Sequence, residues 1–543
     1  MLFDGVPRSL ETAKDAHPSS VRIFGNSIFV NQLLIAFLTY GTADHYYFFI
    51  RDPSCDVVRT KEQLGLPTRA ELLTPITVMD LPATAATTFV TPRAFPQNLS
   101  VLRKLLSPSS AIVSFIHALS DILACDLCVY LLSLGALRGD AVVCSSHAGK
   151  IALQRLLLET AISLGVVPHQ ADAIFSRFMF PVIPLGLHCD RYRCDQLEAR
   201  LQLGIRKDDI VILSFGRLSP FAKADPVPLL LAFRELLAIT DRRLMLLIAG
   251  DDTRHQMADK LRDYASSLGC HESVAVYPDV SLSTKRALYG AADIFVSLSD
   301  HIQETFGIAL MEAMASRLPV VAADWSGHRD IVQQGITGYL IPTYWVDLGD
   351  ELELLRGPLE MEGRNSYLSA ATVVDMETLI DRLKRLINNA ALRQEMGASG
   401  YRRAVETYDW RRVVPRYEEL FNGLKEAIAS DTPNRRGLHG GPHSYKTQQI
   451  FSSYPTGCLD DNAPLVLTSL GRRWLCAPFP LNVISEHSAD LHICRSILSV
   501  LHTDPEGSSS VETLGRYFNQ VFPRFVIRST VGRLIKYGLL SKK

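Results

Sequence analysis

A chain of 543 residues is about twice the size that one hydrophobic core supports, so two or three domains are predicted. The formal net charge of −1 excludes attraction of the whole surface to nucleic acid or to an anionic membrane, so any such contact has to be local. The amino terminus mixes acidic and basic residues early, and ten scattered cysteines follow, which together predict a cytoplasmic protein with reduced thiols and no signal peptide. Peripheral attachment to a membrane stays open.

The first part of the chain contains apolar strands that end in polar or glycine-containing turns. Residues 21–24 predict a strand before the turn Gly25-Asn26-Ser27, and residues 111–116 predict another that ends at His117. Residues 140–146 predict a strand with a serine-rich turn, and residues 180–186 a strand that leads out of the domain. We therefore predict an α/β domain over residues 1–186.

Between these strands lies the most apolar stretch of the sequence, residues 123–137. Asp126 interrupts it, which favours a buried helix over an integral membrane segment. Cys125 and Cys128 have the spacing of a metal or redox pair. No second pair follows at a useful distance, so their burial in the core is the favoured interpretation.

A strand at residues 211–215 runs directly into a loop that holds one glycine and two cations. These residues are Gly216, Arg217 and Lys223. In doubly wound folds, ligands bind at the carboxyl edge of the parallel sheet, where such a loop lies. Arginine and lysine there could offset the charge that grows on a departing nucleoside diphosphate. The alternative is a pair of solvated loop cations.

Two glutamates bracket the turn before an apolar helix. Gly307 lets the backbone approach a ligand, and the following residues contain no helix breaker until Pro319. The first amides of this helix would offer a seat for a pyrophosphate. Glu304 lies in the preceding loop, and Glu312, about one turn into the helix, could accept ribose hydroxyls. Taken alone, this spacing would favour an ordinary surface glutamate on the helix for Glu312 and a loop charge for Glu304.

Short buried strands alternate with helical stretches through the middle of the chain. The strands are predicted at residues 244–250, 274–278, 293–298 and 319–324, and helices at 392–427. This alternation predicts a second parallel sheet, in a domain of residues 187–430.

The last part of the chain predicts a linker and a small domain. Residues 431–463 are rich in glycine, proline and polar residues, which predicts a flexible linker, and residues 464–543 return to helical periodicity. A third helix, over residues 525–537, carries the basic side chains of Arg528, Arg533 and Lys536, and Arg524 lies just before it. The three helices together resemble a helix-turn-helix or winged-helix module. Because the sequence stops at Lys543 before a full wing, a protein partner or self-association is favoured over nucleic acid.

The Gly-Arg…Lys loop, the glutamates eight positions apart and the segment Ala292–Ser297 resemble the retaining family-4 glycosyltransferases, a part of glycosyl transferases group 1. The resemblance covers well over a hundred residues. It implies an α/β protein of GT-B fold, with two Rossmann-like domains facing a cleft. The small, mainly helical domain, which is winged-helix-like, would be an addition to that fold.

The resemblance also implies roles for the residues of the second domain. Gly216, Arg217 and Lys223 would hold the donor diphosphate, and Glu312 the ribose. Glu304 would hold the transferred sugar together with the backbone of Phe306, Gly307, Ile308 and Ala309. Lys223 lies one residue further from Arg217 than in the commoner family pattern.

On the side of the first domain, the resemblance places His117 opposite the donor sugar, although a lone histidine after a strand is usually structural. Gly25 would belong to a flexible loop near the donor phosphate and the acceptor, with a plain turn as the alternative. The group of His188, Cys189, Asp190 and Cys194 falls where the two domains connect, so these are interpreted as linker residues and no metal site is expected. Residues 408–410 resemble the final segment, which crosses back onto the first domain.

The predicted reaction is transfer of a sugar from a nucleotide sugar, a substrate and not a cofactor, with retention of anomeric configuration. The leaving phosphate would take the acceptor proton, and neither a metal nor a cofactor would be required. The acceptor is a glycan, a lipid-linked compound or a small molecule. Three alternatives remain: a sugar phosphorylase or nucleotide-sugar epimerase of the same fold, a binding protein whose GT-B body senses a nucleotide sugar while its terminal helical domain binds DNA or a partner, and a scaffold.

Overall fold

The structure is a computed structural model with side chains. It describes residues 2–4, 25–49, 57–73, 88–91, 99–100, 102–103, 110–119, 122–132, 136–137, 139–166, 178–220, 223–253, 255–346, 348, 361–431, 459–478, 488–505, 507–522 and 524–543. Within these ranges, no helix is long and apolar enough to cross a bilayer.

The chain divides into two compact units. The first consists of Met1–Phe48, Gln63–Glu71 and Ala86–Pro442, and the second of Phe49–Glu62, Leu72–Ala85 and His443–Lys543. The predicted boundaries at residues 186, 430 and 463 stay predictions. Most of the predicted linker, residues 432–458, lies outside the described residues.

The amino-terminal sheet has six strands in the order β3-β2-β1-β4-β5-β6, which is the strand order of a Rossmann-type sheet. Strands β1, β4, β5 and β6 pair in parallel. The strands are β1 (Leu2–Asp4), β2 (Tyr46–Phe49), β3 (Ala70–Leu73), β4 (Thr88–Thr91), β5 (Ala111–Ile116) and β6 (Ala141–Cys144). The helices are α1 (Gly25–Tyr40), α2 (Val57–Gln63), α3 (Ile122–Leu132) and α4 (His147–Ser163).

Two predictions for this domain need correction, and a third is not tested. The strand predicted at residues 21–24 lies outside the described residues and stays a prediction, and the strand that pairs with β4 on one side is Leu2–Asp4. Gly25 is the first residue of α1 and does not lie in a loop, because the apolar run that follows, residues 29–38, favours a helix buried against the sheet. Residues 180–186 form only isolated bridges to β6 and no continuous strand.

The second sheet repeats the same order, β9-β8-β7-β10-β11-β12, and all of its pairs are parallel. Its strands are β7 (Ile210–Phe215), β8 (Leu244–Gly250), β9 (Val274–Pro278), β10 (Ile294–Ser297), β11 (Val320–Ala323) and β12 (Gly338–Ile341), and an antiparallel ribbon adds β13 (Thr343–Trp345) and β14 (Thr372–Val374). The α/β architecture with two Rossmann-like domains is confirmed.

Helices flank this sheet and continue beyond it. They are α5 (Gln196–Leu203), α6 (Val227–Ile239), α7 (Ala258–Ser267), α8 (Leu282–Ala291), α9 (Ile308–Ala315), α10 (His328–Ile331), α11 (Met361–Ala370), α12 (Met376–Asn388), α13 (Ala390–Arg403) and α14 (Trp410–Asp431). Short 3₁₀ turns lie at Cys189–Tyr192 and His271–Ser273, and a π-helical turn at Ala404–Tyr408.

Helix α14 returns to the first sheet, as the segment 408–410 predicted. Trp410 is fully buried, stacks on Phe29 of α1, and donates its backbone N–H to the carbonyl oxygen of Leu187 over 3.1 Å. A side chain at Gly186 would lie 2.3 Å from the Trp410 ring, so only glycine fits there. The connection between the domains and the start of α14 are therefore held together.

In the second unit, residues 459–543 combine four helices with a three-stranded antiparallel sheet in the order β16-β15-β17. Its elements are β15 (Leu465–Leu467), α15 (Ser469–Cys476), α16 (Ser488–Thr503), β16 (Ser508–Ser509), α17 (Val511–Phe518), α18 (Arg524–Lys536) and β17 (Leu540–Lys542). Strand β15 precedes the four helices and pairs with β16 and with β17, which follows α18. Arg528 forms an ion pair with Asp461 and is not part of a purely solvated basic face.

Candidate active site

The candidate site lies at the carboxyl ends of β7 and β10, where the strand order of the second sheet reverses. Doubly wound sheets bind ligands at this switch point. A cavity opens there, lined by the loop after β7 with Gly216, Arg217 and Lys223, and by Ser297 and Leu298 after β10. The structure thus brings the predicted phosphate loop to an open edge of the sheet.

Two glycines fix the path of this loop. Gly250, at the end of β8, has φ +150°, and a Cβ atom there would lie 1.6 Å from the carbonyl oxygen of Gly216. No side chain can be accommodated at that distance, so the two backbones touch only because residue 250 is glycine. The amide of Gly216 donates to the carbonyl oxygen of Ala249 over 3.0 Å, which holds the loop entrance against β8.

Lys223 and Glu304 form an ion pair at the centre of the site. The side chain of Glu304 is 10% exposed and that of Lys223 is 28% exposed. Burial raises the pKa of Glu304, but the charge and hydrogen bond of Lys223, with His328 and the Phe306 amide, more than offset this and lower the pKa to about 2. Glu304 is therefore a carboxylate at neutral pH.

Two residues after β10 position the backbone around Lys223. The hydroxyl of Ser299 donates to the carbonyl oxygen of Lys223 over 2.9 Å, and the amide of Asp225 donates to Oδ2 of Asp300 over 3.1 Å. The longer spacing between Arg217 and Lys223 therefore does not withdraw the lysine from the site.

Asp300 gives the stability of this region a pH dependence. Burial, with the nearby charge of Asp225, raises its pKa from 3.8 to about 7. Because the folded state binds the Asp300 proton more tightly than the unfolded state, this group adds to the stability of the fold below pH 4. The added stability is lost as the pH rises through 7. We expect Asp300→Asn to flatten the stability profile between pH 4 and 7 and to raise the unfolding free energy at pH 8 by about 2–4 kcal/mol.

Denaturant unfolding at pH 5 and pH 8 measures this effect. The exposed Asp263 of α7 offers the control Asp263→Asn, which should keep the wild-type profile. An unchanged pH slope in Asp300→Asn would contradict the assignment.

Helix α9 begins at residue 308, as predicted. Gly307 precedes it with φ 120°, a conformation that favours glycine, and no side chain caps the helix. The amides of Ile308 and Ala309 lie in the first turn, where amides have no partner within the helix. They are available to an anion beside the Lys223–Glu304 pair.

The Glu312 carboxylate is buried and accepts three hydrogen bonds. Oε1 accepts from the hydroxyl of Tyr192 at 2.7 Å and from Nζ of Lys285 at 2.6 Å, and Oε2 accepts from the hydroxyl of Tyr289 at 2.9 Å. A carboxylate has about four acceptor positions, so little capacity is left. The surface-glutamate interpretation is wrong, and the ribose role stays a prediction.

The first domain reaches the site through Thr305, the residue after Glu304. Its hydroxyl donates to the carbonyl oxygen of His117 over 2.8 Å, and its own carbonyl oxygen accepts from the hydroxyl of Ser146 over 2.6 Å. Ser146 also caps α4 by accepting from the amide of Gly149. His117 is thus brought next to the loop that holds Glu304 and Thr305, and its ring centroid lies 4.7 Å from that of Phe29. The predicted role of Gly25 near the donor phosphate and the acceptor stays a prediction.

Sequence reasoning missed several residues of the site, above all Lys285, Tyr192, Tyr289 and His328. Lys285 lies on α8, where it also stacks 4.8 Å above the ring of Phe215. Tyr192 belongs to the connection between the domains and lies 120 positions from Glu312. Local pattern gives no signal for such distant pairs. His328, by contrast, could have been noticed, since it follows Gly327 just after the buried strand β11.

Cys128 and Cys189 are buried, whereas Cys125 is partly buried and Cys194 is exposed. Burial raises the pKa of Cys128 to about 12, and burial followed by the charge of Asp409 raises that of Cys189 to about 12. Burial also lowers the pKa of His188 to about 4. In the described ranges no group of three or more His, Cys, Asp or Glu side chains is arranged to hold a metal ion.

The two Rossmann-type sheets, with the candidate site at the switch point of the second, define a GT-B fold. Residues 195–357 match the family model described as Glycosyl transferases group 1. The fold is similar to that of a sucrose-phosphate synthase from Thermosynechococcus elongatus, with a TM-score of 0.50 and 17% identity over 78% of this chain and 98% of that one.

Two relatives are named D-inositol 3-phosphate glycosyltransferase. The protein of Geodermatophilus obscurus is 28% identical over 254 residues, which are 46% of this chain and 48% of the relative. The protein of Nocardia farcinica is 34% identical over 187 residues, 32% of this chain and 41% of the relative. The chain therefore spans less than half the length of these relatives.

Proposed function

We propose that the protein is a glycosyltransferase that moves a sugar from a nucleotide-sugar donor to an acceptor hydroxyl, with retention of anomeric configuration. The main observation behind the proposal is the Lys223–Glu304 ion pair beside Gly307, the glycine that precedes α9. At the switch point of a Rossmann-type sheet, the site contains a movable cation, a buried carboxylate and amides that have no partner within helix α9. The family match over residues 195–357 supports it.

In this proposal the donor diphosphate lies between the loop after β7 and the first turn of α9. Arg217 and Lys223 are the cations, and the amides of Ile308 and Ala309 add the positive end of a helix. Negative charge grows on the diphosphate as the glycosidic bond breaks, so these groups bind the transition state more tightly than the ground state. Glu304 accepts hydroxyl groups of the transferred sugar.

The acceptor approaches from the first domain, and the departing diphosphate takes its hydroxyl proton. Contacts of Thr305 with His117 and Ser146 close the cleft around the donor loop, which excludes water and favours transfer over donor hydrolysis. No metal or cofactor is required. The family model covers only the second domain, so the acceptor is proposed as a class: a glycan, a lipid-linked compound or a small molecule, with D-inositol 3-phosphate tested because of the relatives' name.

The proposal is tested by a thermal-shift and calorimetric screen against UDP-, GDP-, ADP- and TDP-sugars. We expect one donor to bind and Arg217→Ala to abolish its binding, because the guanidinium contacts the diphosphate. The matched control is Arg385→Ala, since Arg385 is exposed on α12. Products are then analysed with candidate acceptors.

The outcomes separate the alternatives. Release of a sugar phosphate from a glycan and inorganic phosphate would identify a phosphorylase. Conversion of the nucleotide sugar without an acceptor would identify an epimerase. Binding without any turnover would favour a sensor, and no binding by any donor would favour a scaffold.

A further inference from the structure

His328, the first residue of α10, is a fully buried histidine with one ring nitrogen unused. Its Nδ1 lies 3.2 Å from the carbonyl oxygen of Ala323. A carbonyl only accepts, so Nδ1 carries a proton, and in the neutral ring Nε2 has a free lone pair. Among the described residues, Nε2 has no hydrogen-bond partner. A buried polar atom without a partner is costly, which calls for an explanation.

The ring is fixed beside the donor loop. A Cβ atom on Gly307 would lie 3.0 Å from Cδ2 and 3.1 Å from Nε2 of His328, so the Nε2 edge of the ring touches the turn that follows Glu304. A Cβ atom on Gly327 would lie 2.3 Å from the carbonyl oxygen of Thr305. The segment before α10 is therefore pressed against the same turn.

Charged groups surround this ring. Burial lowers the pKa of His328, Glu304 raises it, Lys223 lowers it, and the carboxylate of Asp324 raises it weakly. Asp324 is itself paired with Arg329. The other charged groups near α10 are Asp330, which accepts from the amide of His147, and Arg403, which donates to the carbonyl oxygens of Asp330 and Ile331. Glu304 and Lys223 thus have the largest and opposing electrostatic effects.

Binding of the donor changes this balance. Lys223 neutralises Glu304 in the structure, but a diphosphate competes for the same ammonium group. When Lys223 turns to the phosphate oxygens, Glu304 is left as a buried carboxylate without its cation, which is strongly unfavourable. The cation that repelled a proton on His328 moves away at the same time, and the phosphate charge adds to that of Glu304.

We infer that His328 is a positioning residue that takes up one proton when a nucleotide sugar binds and then holds Glu304 in place of Lys223. The proton comes from solvent and forms the Nε2–H bond of an imidazolium, and it is released when the product leaves. This inference rests on the proposed binding of the donor diphosphate by Lys223. It explains why a buried histidine keeps one nitrogen unpartnered next to an ion pair.

Calorimetry in two buffers of different ionisation enthalpy measures the proton directly. The probe is whichever of UDP-, GDP-, ADP- or TDP-glucose binds in the screen, since the diphosphate of a nucleotide sugar does not titrate near neutral pH. Burial and the charge of Lys223 keep the pKa of His328 below its ordinary value before the donor binds. We therefore expect proton uptake on binding at pH values above that lowered pKa, and a donor Kd that rises with pH there by up to about tenfold per pH unit.

The variant His328→Asn keeps a donor for the Ala323 carbonyl oxygen but cannot titrate, so the proton uptake should vanish. The exposed His271 gives the matched control His271→Asn, which should retain it. Uptake that persists in His328→Asn and vanishes in Asp300→Asn would assign the proton to Asp300 and overturn the inference. Binding of a donor without proton uptake would overturn the inference about His328 and leave the proposed function standing. No binding by any of the donors would overturn both.

Discussion

Replacement of Lys223 by methionine is expected to lower kcat by roughly 100- to 1,000-fold, the range seen when one group that stabilises transition-state charge is removed. Methionine keeps much of the side-chain volume and removes the ammonium group, which is paired with Glu304. The KM for the donor should change less than kcat, because the diphosphate gains charge as the glycosidic bond breaks. Steady-state kinetics with saturating acceptor measure both constants.

Loss of the ion pair also destabilises the site, since Glu304 remains buried without its cation. The double variant Lys223→Met/Glu304→Gln removes this penalty and should unfold at nearly the wild-type denaturant concentration while remaining as inactive as the single variant. Lys384→Met, at an exposed position on α12, is the control for the loss of a lysine. A normal kcat with a raised KM would show that Lys223 contributes only uniform binding, and recovery of activity in the double variant would show a purely structural role.

The second domain was predictable because its signals are local. Strands β7 and β8 are six and seven residues long, mostly apolar, and each has a parallel neighbour on both sides. Gly216 follows β7, and β8 ends in Gly250. Such runs identify buried parallel strands without knowledge of their neighbours. The start of α9 followed from Gly307 alone. Strand β12 was missed, since it has four residues and begins with glycine.

The first domain was predicted less completely because its elements are short or depend on distant contacts. Strands β1, β2 and β3 have only three or four residues each, too few to show a period. The turn chemistry of Gly25 suggested a loop, but packing of α1 against α14 determines the structure there, with Phe37 stacked on Phe421 at 5.8 Å. Tertiary burial overrides local propensity at such positions.

The residues of the candidate site also divide into those with a local sequence signal and those without one. Arg217, Lys223 and Glu304 were found because each follows a strand or precedes a helix, and the structure places them at one sheet edge. The partners of Glu312 come from two other elements, the 3₁₀ turn with Tyr192 and helix α8 with Lys285 and Tyr289. They could not be found, because a hydrogen bond between residues 120 positions apart has no local signature. Spacing could indicate the ribose role but could not reveal that the carboxylate already has three donors.

These partners give Glu312→Ala an expected effect on stability as well as on binding. The substitution leaves the Lys285 ammonium and the hydroxyls of Tyr192 and Tyr289 without their acceptor. Removal of one member of a buried ion pair costs about 3–5 kcal/mol, so the unfolding free energy should fall by that amount. Denaturant unfolding measures it, and Glu395→Ala, at an exposed position of α13, should change it by less than about 0.5 kcal/mol.

A second substitution separates the structural role of Glu312 from its proposed role in binding ribose. In Glu312→Ala/Lys285→Met the unpaired ammonium is gone, so much of the lost stability should return. Donor affinity should not return, because a ribose hydroxyl would still lack its acceptor. Restoration of both would show that Glu312 only supports Lys285. Loss of stability with unchanged donor affinity in the single variant would lead to the same conclusion, and the ribose would then have to be held by other groups at the ends of β8 and β9.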